Sequence, residues 1–150
     1  MATNTPGSSA RQDPRQVSNT MRMKFDFTKQ GVFVPLGTLP QGAWIIACQV
    51  SIDTIFNAGT TNPITVGSAV TPAGLQSSGQ NTPGSVGVYP TPGGAGSLLG
   101  KSGIPALATA DTVVGITYTP TGGAPTTGQG EVMIEYEGGF PGQTGIQGSG

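Results

Sequence analysis

Apolar and polar residues alternate in several short runs along this chain, and no run carries a helical period with recognisable caps. In the run 22–27, Met23, Phe25 and Phe27 face one way, and Arg22, Lys24 and Asp26 face the other. That period of two marks a half-buried strand. A turn at Gln30-Gly31 follows, and then a short apolar strand, Val32–Val34, that Pro35 is expected to stop. Beyond the turn 39–42, the strongest core strand spans Ala43 to Ile52. Its alternation assigns Trp44, Ile46, Cys48, Val50 and Ile52 to the core face, with Ile45, Ala47, Gln49 and Ser51 opposite. Trp44, the single tryptophan, is expected to cap one end of the core.

Further strands are predicted at 54–56, 63–66 and 85–89, with 57–62 a loop. The stretch 67–103 is the least patterned; 67–75 holds at most one helical turn, and Thr82-Pro83-Gly84 and Thr91–Gly94 are turn signals. Loops of this length are uncommon in compact domains and serve as contact surfaces or as plain solvent-exposed connections. Two clean strands close the pattern. Residues 112–118 place Val114, Ile116 and Tyr118 on one face. Residues 131–137 place Val132, Ile134 and Tyr136 on one face and Glu131, Glu135 and Glu137 on the other. Joined by the Pro/Gly/Thr loop 119–129, they are predicted to form an antiparallel hairpin with one wet face. The fold class expected is all-β: an antiparallel, jelly-roll-like β-sandwich of roughly eight short strands.

Composition changes this picture at the two ends. The chain has 26 glycines and 13 prolines in 150 residues, 35% hydrophobic and only 9% charged residues. Gly, Pro, Thr, Ser, Asn and Gln make up the difference, a texture shared with low-complexity disorder. The alternating strands argue against disorder for residues 23–138. Residues 1–22 read as an extended N-terminal arm, and 139–150 as an extended tail with Phe140 and Ile146 as its apolar residues. Residues 1–30 carry Arg11, Arg15, Arg22, Lys24 and Lys29 against Asp13 and Asp26; residues 31–150 carry Lys101 against five carboxylates. A basic arm lying on an acidic surface fits that asymmetry, whereas the arm has neither the Lys/Arg run nor the interleaved aromatics of a nucleic-acid binder.

The absence of histidine removes most catalytic options. A Ser-His-Asp triad and a Cys/His zinc site are both impossible. Lys101-Ser102 has no nucleophile turn around it, and the three glutamates fit a solvated strand face better than a glycosidase pair. Asp53 with Asn57 is too thin for calcium, and no glycine-rich stretch has phosphate-loop spacing. No enzyme activity, metal or cofactor is expected. Cys48 has no disulfide partner and is expected to be a small buried hydrophobe. No apolar run approaches the ~20 residues of a membrane-spanning helix, and no secretory leader is visible, so synthesis in a reducing cytoplasm without membrane contact is expected.

The segments 62–67 (Asn-Pro-Ile-Thr-Val-Gly), 110–118 (Ala-Asp-Thr-Val-Val-Gly-Ile-Thr-Tyr) and 130–136 (Gly-Glu-Val-Met-Ile-Glu-Tyr) resemble the head decoration, or cement, proteins of tailed bacteriophages. The resemblance spans roughly residues 23–138. It implies a jelly-roll or related sandwich bound outside the capsid shell, as dimers or trimers, with the major capsid protein and its own copies as partners. On that reading, Arg11, Arg15, Val17 and Met21 of the arm and Phe140 and Ile146 of the tail make the partner contacts. The alternative is a receptor- or carbohydrate-binding module of a phage fibre, using Tyr89 in the Gly/Pro-rich loop as its exposed aromatic.

Overall fold

The computed structural model describes residues 18–91 and 106–138. Eight strands lie within them: β1 (Ser18–Asp26), β2 (Phe33–Leu39), β3 (Ala43–Thr54), β4 (Ile64–Ser68), β5 (Gly87–Pro90), β6 (Ala106–Leu107), β7 (Thr112–Tyr118) and β8 (Gln129–Gly138). They form two antiparallel sheets. The larger runs β1-β8-β3-β5, with β6 also paired to β3, and the smaller runs β2-β7-β4. The protein is therefore an all-β sandwich. Apart from the neighbours β5 and β6, each strand is followed in the chain by one in the opposite sheet, which is the jelly-roll arrangement.

The inward faces bury Phe25, Leu39, Ile45, Val50, Ile52, Ile64, Val66, Val114, Ile116, Val132 and Ile134 between the sheets. Alternation predicts these faces well in β1, β7 and β8. At one end an aromatic cluster fills the gap. The rings of Phe25 and Phe56 lie 5.8 Å apart, and those of Phe56 and Tyr118 lie 4.8 Å apart. The buried Tyr118 donates its phenolic hydrogen to Asn62 Oδ1 at 2.7 Å, which satisfies its polar tip. Gly128 passes so close to this cluster that a methyl there would sit 2.3 Å from Phe56 Cδ1, and its φ of +143° disfavours a side chain as well.

Four expectations are corrected. First, β7 and β8 are not a hairpin; β7 lies in the smaller sheet and β8 in the larger. Each has one apolar face, and two such strands can bury it by facing each other as well as by lying side by side. The connecting loop crosses between the sheets, helped by positive φ at Gly122, Gly123 and Gly128. Second, the core face of β3 changes parity. The register shifts between Ile45 and Ala47, so Ala43 and Ile45 point inward, and after the bulge Cys48, Val50 and Ile52 do. Trp44 and Ile46 consequently lie outside, 49% and 41% exposed, and Trp44 caps nothing. Third, Pro35 does not stop its strand. β2 is paired only to β7, with an irregularity between Pro35 and Gly37, and an edge strand tolerates the missing N–H. Fourth, Ser18–Arg22 belong to β1, paired with β8, so the first strand takes in the last five residues assigned to the arm.

Residues 69–86 take the place of a further strand on the smaller sheet. Of the segment 67–75, Gly67 and Ser68 end β4 and 69–75 form bends and a turn, with no helical turn. Gln76 then makes a reciprocal pair of backbone hydrogen bonds with Val66 of β4, both at 2.9 Å. The Gln76 side chain is fully buried; its amide donates to Tyr89 O of β5 at 2.8 Å and its carbonyl accepts from Asn81 Nδ2 at 3.1 Å. Asn81 also donates to Ile64 O of β4 at 3.0 Å. Gln76 and Asn81 thus tie the edges of both sheets together with hydrogen bonds that water cannot reach.

Two outcomes follow for stability. Gly128→Ala lowers the unfolding free energy by about 2–3 kcal/mol in urea titrations, whereas Gly79→Ala, with open space around it and ordinary φ, is neutral or slightly stabilising. Gln76→Ala removes the hydrogen bonds to the Tyr89 carbonyl and from Asn81 Nδ2 and empties a fully buried position, and costs on the order of 2 kcal/mol in the same assay.

Candidate functional site

The outer face of the larger sheet collects most of the described charge. Register sets Lys24 opposite Glu131, Arg22 opposite Met133, Thr20 opposite Glu135 and Ser18 opposite Glu137. Arg22 makes a two-pronged contact to the next row, Nε to Glu131 Oε1 at 2.7 Å and Nη2 to Oε2 at 3.0 Å. Its side chain is 62% exposed, so the pair contributes no more than about 1 kcal/mol. The Ser18 hydroxyl donates to Glu135, and Gln49 Nε2 points to Met133 Sδ at 3.6 Å. Glu131 and Glu135 are therefore taken up by neighbours on a solvated face, and their arrangement offers no acid–base pair.

An open depression of about 200 Å³ lies at one end of this face, lined by Lys24, Phe25, Asp26, Asp53, Gln129 and Gly130. Asp26 is engaged there by the Thr28 hydroxyl and backbone N–H, which hold its carboxyl below the usual range. Among the described residues, no three His, Cys, Asp or Glu side chains are grouped to hold a metal ion, and no helix is long and apolar enough to cross a membrane. Asn57 uses its carboxamide to bind Thr126 and Thr127 and so laces two loops together.

Arg11, Arg15, Val17, Phe140 and Ile146 lie outside the described residues, as do Lys101 and Ser102. Met21 is paired with Ile134 in β1 and packs against its own core; a methyl at Gly37 would lie 2.6 Å from its sulfur. Tyr89 is not a loop aromatic. It sits in β5 opposite Val50, packs against the core, and donates its hydroxyl to Ser85 O at 3.0 Å. Its strand places the ring on the inward side, where it is partly buried.

Sequence reasoning missed two features. Trp44 and Ile46 form an exposed apolar pair on the outer face, created by the β3 bulge. The buried Gln76–Asn81 link had no local signal, since both residues sit in a polar, unpatterned stretch. The remaining exposed apolar side chains are scattered, Val88 on β5, Val113 on β7, and Val32, Ile55, Val70 and Val86 in the connections between strands. What the surface offers is a set of faces for contact, with Cys48 sealed beneath it.

No protein-family model and no curated protein matches this chain. Solved structures do. The fold is similar to that of a chain in the cyanophage Pam1 capsid asymmetric unit, with a TM-score of 0.65 at 18% identity, covering 91% of this chain and 98% of that one. It is also similar to a chain of the acidic stable capsid structure of Helicobacter pylori bacteriophage KHP30, with a TM-score of 0.57 at 18% identity, covering 82% of this chain and 89% of that one.

The Cys48 thiol provides a measurable consequence. Burial pushes its pKa from 9.0 up to about 12. The folded state then holds a proton that the unfolded chain releases above pH 9, so stability falls as pH rises from 9 towards 12. Burial raises the Tyr118 pKa in the same sense. Cys48→Ala therefore flattens the alkaline limb of a denaturation-versus-pH curve, and the wild-type thiol resists alkylation at pH 8 until denaturant is added.

Proposed function

We propose that this chain is a structural protein of a bacteriophage virion that attaches to the outside of the capsid shell and braces neighbouring capsomers. The observation that carries this reading is the extent of the likeness to the Pam1 capsid chain: 91% of one and 98% of the other align. The alignment takes in nearly all of both chains, so the similarity is not confined to a shared fragment. The surface supports the same reading. Its polar strand faces and scattered apolar side chains suit contact over area, and the depression beside Lys24 and Asp53 is open.

In this reading the β-domains associate as dimers or trimers, and residues 1–17 reach onto the major capsid protein. Ordering such a segment costs ~1–2 kcal/mol per residue, so it needs anchors. Arg11 and Arg15 supply them by forked hydrogen bonds to carboxylates, and Val17 by apolar contact. Met21 drops out of this set because β1 and the core already hold it. No catalytic step is assigned.

The structure sets where the arm can be cut. Removing residues 1–22 would strip five residues from β1, whereas removing 1–17 spares the sheet. Shells lacking this protein are mixed with the full chain or with the chain beginning at Ser18, then sedimented. The full chain co-sediments at saturable stoichiometry and the shortened one does not, while both keep the same far-UV spectrum. Equal occupancy by the two would remove the arm from attachment, and no binding by either would remove the capsid reading itself.

A further inference from the structure

We propose that the exposed Trp44–Ile46 pair is covered by residues 139–150 of the same chain, with Phe140 against the Trp44 indole. This goes beyond the capsid reading and concerns the isolated chain. The β3 bulge turns two large apolar side chains onto the face that also carries Arg22, Glu131, Glu135 and Glu137, leaving 49% of Trp44 and 41% of Ile46 exposed. The chain leaves the sheet beside them. Glu137 pairs with Trp44, and Gly138, the last residue of β8, pairs with Ala43.

Two further observations point to the following segment as the occupant. Gly138 has φ +73°, a left-handed backbone that bends the chain out of the strand line, and Gly139 comes next. Phe140 is two residues beyond Gly138, so its Cα stays within about 7 Å of that glycine. A tether this short holds an apolar ring at an effective concentration in the millimolar range or above, next to an apolar patch. Residues 139–150 also contain no charged side chain, and their two large apolar residues are Phe140 and Ile146. Covering Trp44 with them therefore desolvates no charge of their own, and an offset or edge-on pair of rings adds to the area buried.

Trp44 is the only tryptophan, so the fluorescence of the chain reports on this patch. In the full chain, emission is blue-shifted and acrylamide quenching weak, relative both to Phe140→Ala and to the chain ending at Gly138, with the far-UV spectrum unchanged. Phe140→Leu lies between. In an Ile46→Ser background the effect of Phe140→Ala shrinks, because half of the receiving surface is gone. Dilution of the full chain leaves its quenching unchanged. Identical quenching in all variants overturns the proposal, and so does quenching that rises on dilution, which would assign the cover to a second copy. A measurement that needs no substitution is the nuclear Overhauser effect between the Trp44 indole and the Phe140 ring, selectively labelled in the full chain. Its presence supports the contact and its absence overturns it.

Discussion

The insertion of β8 between β1 and β3 is the constraint on which the rest of the structure depends. Its ten residues, Gln129–Gly138, pair with β1 from Ser18 to Asp26 on one side and with β3 from Ala43 to Thr54 on the other. One late strand thereby joins the first and third strands into a single sheet. The fit is close. A methyl at Gly130 would meet Ser51 O at 2.5 Å and the Phe25 ring at 2.9 Å, so this strand must carry a glycine where it passes both. Because β8 completes the sheet, non-local pairing dominates, and the larger sheet cannot be finished until the end of the chain is in place.

The smaller sheet solves a different problem. It has three strands, and its β4 edge would expose unpaired backbone. The chain covers that edge with a single reciprocal bridge at Gln76 and then uses the Gln76 side chain to reach β5 in the other sheet. Buried amides are costly when unpaired and specific when paired, so this link fixes how the two sheets meet along that side. At one end of the sandwich, the loops before β4 and before β8 are locked together by Asn57, and the buried Tyr118 is anchored through Asn62. Side-chain carboxamides do here what longer strands would do in a more regular sandwich.

These devices act at the edges and one end of the sandwich. Charged pairs on the larger sheet are solvated and individually weak, and the one thiol is buried and protonated. A molecule built this way can present area and edges to other polypeptides, with reactive groups sparse among the described residues. That is the physical sense in which its architecture suits contact over area. It also explains why its informative surface features, Trp44 and Ile46, come from a strand irregularity and not from a cleft.

Much of the fold was legible in the sequence. Period-two alternation in Met23–Phe27, Val114–Tyr118 and Val132–Tyr136 identified strands and nearly all their buried faces, because side-chain direction in a strand is a local property. Missing helical periodicity determined the all-β class in the same local way. Pairing is not local. Whether β7 lay beside β8 or across from it, where β3 slipped by one residue, and that Ser18–Arg22 would find β8, all depended on partners distant in sequence. One bulge was enough to turn Trp44 from core to surface, and one edge pairing was enough to turn Tyr89 from an exposed ring to a packed one. Side-chain alternation records which residues can share a face; only the closed sandwich decides which face is buried and what lies opposite it.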